Sequence, residues 1–201
     1  EDTPVAVVLG ADPFVELASA ISTKFGLFEL RIAAKLSGDN RVARTLLYKI
    51  PVPVTASMIL EGVLLHGELA EEGPFVDILG LVDIKRKQPV FKLERVYVNK
   101  VYPVLYHAIV PSLSDHVFLM GFPREASIYR AVREVSPNVK AVRLTPGSGG
   151  WLHAVISIKQ VVPGEARNAA LAAIAGHPSV KHVVVVDEDI DVDDPSMIEW
   201  A

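Results

Sequence analysis

Near residue 110 the chain changes from strand-like segments to an alternation of helices and strands, and this change restricts its fold more than any other feature. Before that point, proline and glycine separate strand-like segments: RVARTLLYKI, ASMILEGVLLHGEL, LGLVDI, PVFKLERVYV and YPVLYHAIV. Beyond Ser112, helical segments alternate with strand-like ones: EASIYRAVREV, VKAVRL, WLHAVISIK, GEARNAALAAIAG and KHVVVVDED. The sequence therefore predicts a mixed α/β fold, with a β-rich barrel or sheet fragment in residues 1–110 and an α/β domain in residues 111–201.

Two short helices are predicted before the run of strands. PVAVVLG has the apolar composition of a buried strand, and Asp12 followed by Pro13 is typical of the N-cap and first residue of a helix. FELRIAAKL also has helical composition and stops before the turn-forming SGDN. We therefore expect a strand and two helices at the start of the β-rich part.

Two strands of the α/β part differ in their predicted burial. WLHAVISIK alternates, which places His153 on the polar face and a set of apolar residues on the other, namely Leu152, Ala154, Ile156 and Ile158. KHVVVV is apolar without interruption, as in a strand that is buried on both faces.

Composition argues against several classes of function. The net charge of −4 and the lack of a Lys/Arg cluster argue against nucleic-acid binding. The chain has no cysteine, so it has no disulfides, thiolate metal ligands or cysteine nucleophiles, which is compatible with a cytoplasmic protein. No apolar run is long enough to span a bilayer.

High hydropathy indicates that other structure covers part of the surface. Half of the residues are hydrophobic and the mean hydropathy is +0.33, so we expect a homo-oligomer. The sequence starts without methionine and stops at Trp200-Ala201, and we expect it to be a piece of a longer chain.

Three conspicuous motifs do not predict a site by themselves. The acidic run DEDIDVDD does not match the EF-hand calcium loop, which has glycine at its sixth position and glutamate at its twelfth. Counted from Asp189, these positions hold Asp194 and Trp200. PGSGG lacks the Lys-Ser/Thr of a phosphate-binding loop and leads into a strand, so it predicts a turn. The six histidines form no HExxH motif.

Two glutamates interrupt apolar segments. Glu29 lies in GLFELRIA, where it either faces solvent or meets a cation, because an unpaired buried carboxylate is expensive. Glu61 lies in SMILEGVLL and needs hydrogen-bond partners if it is buried.

The segment EEGPFVD places Glu72 and Asp77 on either side of a Gly73-Pro74-Phe75 turn. A separation of five residues points two side chains in different directions in a strand or a helix, so only a bend would aim both at one place. Glycine and proline have the properties that a bend requires. The segment is either a surface turn with solvated acids or a hinge that brings two acids to one pocket.

These segments, taken in order, resemble the UbiD family of reversible decarboxylases, which use prenylated FMN. The matching pieces are PVAVVLGADP, ELASAI, FELRIAAKL, MILEG, EEGPFVD, PVFKLERV, WLHAVISIK, PGEAR and VVVVDEDIDVDDPSMIEWA, which together span almost the whole chain. The resemblance implies that the β-rich part is half of a flavin-binding domain like a split barrel. The α/β part would then be a C-terminal domain of the kind used for oligomerisation.

The resemblance also implies roles for residues near the cofactor. Glu29 occupies the position of the glutamate that ligates a divalent metal, usually Mn(II), which bridges to the flavin phosphate. Ala18 and Ser19 occupy the segment whose backbone lies near that phosphate and a monovalent cation, commonly K⁺. A flavin prenyltransferase would supply the cofactor.

Glu72 and Asp77 occupy the positions of two acids that the family uses together with an arginine, and Asp77 would be the proton donor. Val76 stands where the family usually has glycine. The family's asparagine and histidine metal ligands and its catalytic arginine lie upstream of PVAVV and are not in this sequence. The 201 residues alone are therefore expected to be inactive.

The implied substrate is a small aromatic or α,β-unsaturated carboxylic acid. Hydroxybenzoates, other phenolic acids and a phosphorylated mevalonate-derived acid all remain open. Two other interpretations also remain open: a noncatalytic assembly or binding module of a larger enzyme, and a flavin reductase, for which fold analogy is the only support.

Overall fold

A computed structural model describes residues 1–102 and 115–201, apart from residues 22, 24, 40 and 78. The described residues within 1–19 and 27–109 form one compact unit, and those within 20–26 and 110–201 form a second. The predicted domain boundary at 110/111 and residues 103–110 of the predicted strand YPVLYHAIV lie outside the described residues. No helix of the described ranges is long and apolar enough to cross a membrane.

The first unit contains seven strands and two helices among its described residues. In chain order they are β1 (Thr3–Leu9), α1 (Pro13–Ser19), α2 (Leu30–Ser37), β2 (Val42–Arg44), β3 (Pro51–Pro53), β4 (Met58–Glu72), β5 (Phe75–Val76), β6 (Val82–Asp83) and β7 (Arg86–Val98). The long strand β4 pairs antiparallel with β1 on one side and β7 on the other. Two short antiparallel pairs, β2 with β3 and β5 with β6, complete the strand pairing.

The start of helix α1 agrees with the sequence prediction. The Asp12 carboxylate accepts hydrogen bonds from the backbone N–H groups of Phe14 (3.0 Å) and Val15 (3.2 Å), as an N-cap residue does. Pro13 is the first helical residue. Helix α2 begins at Leu30, close to the predicted start, and packs against α1.

The predicted strand RVARTLLYKI is wrong in its second half. Only Val42–Arg44 is a strand, and the chain then turns. The turn is closed by a hydrogen bond from the Thr45 N–H to the Ile50 carbonyl (3.0 Å), and Lys49 has a φ of 58°. The apolar composition of TLLYK resembles that of a strand, but the backbone N–H groups of Leu46, Leu47 and Tyr48 bond to side chains of β7 and β4 and not to the backbone of a neighbouring strand.

The second unit is a mixed sheet covered by helices. Its elements are α3 (Asp115–Val135), β8 (Val139–Leu144), β9 (His153–Ile158), α4 (Glu165–Gly176), β10 (His182–Asp187) and α5 (Pro195–Trp200). Strand β9 is central, parallel to β10 and antiparallel to β8. One face of the sheet packs against α3 and α4 through a core that includes Ile128, Val132, Ile156, Ala169 and Ala173.

Strand β9 is buried more completely than its alternating sequence predicts. Its apolar face carries Ala154, Ile156 and Ile158, but Val155 and Ser157 on the other face are also buried. Val155 packs into a second cluster with Val186, Ile190 and Val192. The segment after β10 therefore covers the face that the sequence assigned to solvent.

A buried hydrogen bond at the start of α4 gives the first testable prediction. The Ser136 hydroxyl donates to the Glu165 carboxylate (2.8 Å), which also accepts the N–H of Val161 (2.8 Å), and both Ser136 and Glu165 are buried. We expect Ser136→Ala to lower Tm by about 3–12 °C, because the variant loses a hydrogen bond to a charged group. Calorimetry with Ser179→Ala as the control checks this, and an equal Tm for both variants would contradict it.

Candidate active site

The bend between Glu72 and Asp77 is present in the structure. Glu72 is the last residue of β4, Gly73 has a φ of 88°, and the Gly73–Pro74 peptide bond is cis. After the bend, β5 pairs with β6 to form a small hairpin, and Asp77 directly follows β5. The predicted bend is therefore present, with one acid on either side of it.

The Asp77 carboxylate is fixed by the tip of this hairpin. Its Oδ1 accepts hydrogen bonds from the backbone N–H groups of Leu79 and Leu81, both at 2.9 Å. The Asp77 N–H in turn donates to the Leu81 carbonyl (2.8 Å). Oδ2 makes no hydrogen bond with any residue that the structure describes, so one carboxylate oxygen is oriented and the other is available.

Glu72 is exposed, and its carboxylate has no described partner. Arg86 lies opposite it in the β4–β7 register, but the Arg86 guanidinium binds the Asp83 carboxylate at 2.5 Å. No contact joins the carboxylates of Glu72 and Asp77 within the described part of the chain. The structure thus places both acids at one bend without bonding them to each other.

The three residues assigned to the cofactor lie at ends of the two packed helices. Ala18 and Ser19 end α1, where Ala18 is buried and the Ser19 hydroxyl donates to the Glu16 carbonyl (2.7 Å). Glu29 directly precedes α2, is half-buried, and makes no capping hydrogen bond with its side chain. Its carboxylate is therefore available to a cation.

Glu29 could supply one ligand to a metal site. Among the described residues, no group of three or more His, Cys, Asp or Glu side chains could hold a metal ion. A carboxylate oxygen suits a hard divalent cation such as Mn(II), but such a cation needs several oxygen ligands. The remaining ligands would have to come from outside the residues described.

Glu61 has the partners that its burial requires. It is fully buried and accepts hydrogen bonds from the N–H groups of Tyr48 (2.8 Å) and Leu47 (3.3 Å) and from the Tyr97 hydroxyl. Burial alone raises the pKa of Glu61, but these hydrogen bonds and one with Thr45 outweigh it and lower the pKa to about 2. Glu61 is therefore ionised at neutral pH and holds the turn between β2 and β3.

Tyr97 was not singled out from the sequence. Its hydroxyl donates to Glu61 and accepts the Leu46 N–H (2.9 Å), so it joins β7 to the same turn. Burial and the hydrogen bond to Glu61 raise the pKa of Tyr97, which keeps the hydroxyl protonated. Tyrosine is a common strand residue, and no motif in PVFKLERVYV marks this one.

Family models match nearly the whole chain. The model of the 3-octaprenyl-4-hydroxybenzoate carboxy-lyase Rift-related domain matches residues 1–113, and that of the C-terminal domain of the same carboxy-lyase matches residues 117–201. Both describe domains of one class of carboxy-lyase. The chain belongs to the UbiD family.

Curated relatives extend beyond this sequence. The chain is 51% identical to an anhydromevalonate phosphate decarboxylase from Aeropyrum pernix, over 100% of this chain and 46% of the relative. It is 44% identical to a protein of the same name from Methanothermobacter thermautotrophicus, over 100% of this chain and 47% of the relative. The chain thus spans about half the length of the curated relatives it matches.

Solved structures show the same fold. An evolved dimeric form of the UbiD-class enzyme HmfF from Pelotomaculum thermopropionicum, in complex with prFMN, superimposes with a TM-score of 0.92 at 36% identity. The match covers 100% of this chain and 47% of HmfF. HmfF in complex with FMN gives a TM-score of 0.89 at 37% identity, with 45% of that chain covered. The predicted mixed α/β fold and the family resemblance are both confirmed.

Proposed function

We propose that the protein containing these residues decarboxylates a phosphorylated, α,β-unsaturated acid of the anhydromevalonate phosphate type. The observation that carries the proposal is the 51% identity, over all of this chain, to the decarboxylase of that name from A. pernix. Four further relatives with the same name are 41–45% identical. They favour the phosphorylated acid over the phenolic acids that the sequence left open.

Prenylated FMN is the proposed cofactor, since the HmfF structures contain prFMN or FMN. When bound, it would supply an acceptor for the electron pair that departing carbon dioxide leaves on the substrate. The Glu29 carboxylate would be one ligand of Mn(II). The carbonyl groups near Ala18 and Ser19 would face K⁺, because the last carbonyls of a helix lack partners within it.

Asp77 is the proposed proton donor. With Oδ1 held by two backbone N–H groups, the carboxyl group keeps one orientation and Oδ2 can carry the proton to the substrate carbon. Glu72, on the other side of the bend, would act with an arginine from outside the described residues to orient the substrate carboxylate. These roles follow the family pattern.

The hairpin surface supports an assembly larger than this unit. Five apolar residues of the hairpin and its flanks are between 44% and 76% exposed: Phe75, Val76, Leu81, Val82 and Ile84. Apolar patches of this kind are normally covered by other structure. We propose that these residues are covered by further parts of the protein or by a second copy in a homo-oligomer. We also propose that the enzyme is cytoplasmic and that a flavin prenyltransferase supplies its cofactor.

The full-length protein, produced together with a flavin prenyltransferase and Mn(II), tests the function. We expect release of carbon dioxide from anhydromevalonate phosphate and little from 4-hydroxybenzoate. Release from the hydroxybenzoate alone would overturn the proposed substrate. Release from neither acid, by protein that has bound the cofactor, would overturn the proposed substrate and favour a noncatalytic module.

The role of Glu29 gives a separate prediction. Glu29→Gln is expected to weaken Mn(II) binding by about tenfold or more, because an amide oxygen replaces an ionised ligand. Metal analysis and flavin absorbance of the purified full-length protein measure the loss, and Glu134→Gln, at an exposed position of α3, is the matched control. Unchanged metal content in the Glu29 variant would rule out its role as a ligand.

A further inference from the structure

His153 and His182 lie side by side on two neighbouring strands of the second unit. They are paired in the parallel register of β9 and β10, and neighbouring strands are about 4.8 Å apart. Side chains alternate along a strand, so His153 shares a face of the sheet with Val155. His182 likewise shares a face with Val184, which packs in the same cluster as Val155. Both histidines therefore project from one face of the sheet.

Both rings are accessible to a ligand. His182 is exposed and His153 is half-buried. In the described part of the chain, the buried side-chain nitrogens that lack a partner belong to Arg124, Arg143 and His177. The His153 Nε2 also makes no hydrogen bond with a described residue but is not one of these buried atoms, so it reaches solvent. No hydrogen bond within the described ranges involves the His182 ring.

A relay of two hydroxyl groups fixes the tautomer of His153. The Ser148 hydroxyl donates to the Thr145 carbonyl (2.8 Å), so its hydrogen is already engaged. The Thr145 hydroxyl donates to Ser148 Oγ (3.2 Å). Thr145 Oγ1 also lies 3.1 Å from His153 Nδ1, and because its own hydrogen is engaged it accepts from an Nδ1–H group. The lone pair of the His153 ring is therefore on Nε2, the nitrogen that reaches solvent.

The His153 ring is uncharged at neutral pH. Burial, and then the nearby His182, lower the pKa of His153 below its ordinary 6.5. The contribution of His182 also indicates that the two rings are close enough for their charges to interact. A histidine binds a metal ion through its neutral ring, so protonation does not compete with a metal at His153 Nε2 at neutral pH.

We propose that His153 and His182 together bind one divalent transition-metal ion such as Zn²⁺ through their ring nitrogens. Imidazole is a preferred ligand of such ions, with Zn–N bonds of about 2.0–2.1 Å. The hydrogen bond from His153 Nδ1 to Thr145 is of the kind that metal-binding histidines usually make with their second nitrogen.

The coordination shell of this site is open. Among the described residues, no group of three or more His, Cys, Asp or Glu side chains could hold a metal ion. The two histidines therefore supply two ligands, and water or an external ligand takes the remaining positions. The site lies wholly within the second unit and does not use Glu29, Glu72 or Asp77.

Zinc binding to the full-length protein, with Mn(II) present throughout, tests the site. We expect equilibrium dialysis to find a Zn²⁺ site whose affinity falls by about 100-fold in His153→Gln and in His182→Gln, because loss of an outer hydrogen bond alone costs about 10–100-fold. Thr145→Val removes only that outer acceptor and should weaken binding by about tenfold. His66→Gln removes an exposed histidine of β4 and should leave zinc binding unchanged.

Nitrogen-15 spectra of labelled histidine in the unmutated protein give a measurement that does not depend on any variant folding. Without zinc, His153 should carry its proton on Nδ1, and zinc should shift its Nε2 together with a ring nitrogen of His182. Unchanged resonances of both rings on zinc addition, or equal zinc affinity in the parent and both histidine variants, would overturn the proposal. Displacement of zinc by excess Mn(II) would overturn the choice of metal, because Mn(II) prefers oxygen ligands.

Discussion

Asp77→Asn is expected to abolish turnover of the full-length, cofactor-loaded protein. The amide keeps an oxygen that can accept the N–H groups of Leu79 and Leu81, so the hairpin should retain its shape. It cannot act as a general acid, and loss of a positioned acid typically lowers a rate by about 10²–10⁴-fold. Release of carbon dioxide from anhydromevalonate phosphate is the measurement.

The control for Asp77 lies in the adjoining strand. Glu71 is exposed and forms only a long surface ion pair with Lys85 (3.5 Å), so Glu71→Gln should leave the rate within a few-fold of the parent. Flavin absorbance of both variants shows whether cofactor is retained. Near-parental turnover by Asp77→Asn with full cofactor would refute the proposed proton donor.

Much of the local structure could be predicted because it depends on neighbouring residues. Asp12 and Pro13 specify the start of α1 through one side chain and one fixed torsion. Gly73 and Pro74 likewise specify the bend. The period of the apolar residues was sufficient to predict the mixed α/β fold.

Features that depend on distant residues could not be predicted in this way. Glu61 needed partners, but the sequence did not show that a turn 13 residues earlier and Tyr97, 36 residues later, would supply them. The same tertiary contacts make TLLYK a turn in spite of its strand-like composition.

The site shows the same division. The order of the family segments was enough to assign Glu29, Glu72 and Asp77 to roles, and these roles remain predictions. The two backbone hydrogen bonds to Asp77 Oδ1 depend on the backbone path of the hairpin. The sequence EEGPFVD does not specify that path. Sequence therefore identified which acids to examine, and the structure identified which oxygen of Asp77 is available.

Glu61→Gln is expected to lower the free energy of unfolding by about 2–4 kcal/mol at pH 7, because the buried carboxylate accepts several N–H and O–H donors. Glutamine replaces one accepting oxygen with an NH₂ group that faces donors. Urea unfolding measures the loss, and Glu68→Gln, at an exposed position of β4, should change stability by less than about 0.5 kcal/mol.

The pH dependence of the free energy of unfolding shows whether Glu61 stabilises the fold through its charge or only through its packing. In the folded protein the pKa of the Glu61 carboxyl group is lowered to about 2 from its ordinary 4.5. The stabilising contribution of Glu61 is therefore complete above about pH 4.5 and declines as the pH falls toward 2. The stability difference between parent and Glu61→Gln should therefore shrink across that range, since all other carboxylates are common to both proteins. A difference that stays constant from pH 6 to the lowest pH at which both fold would show that the charge of Glu61 contributes nothing.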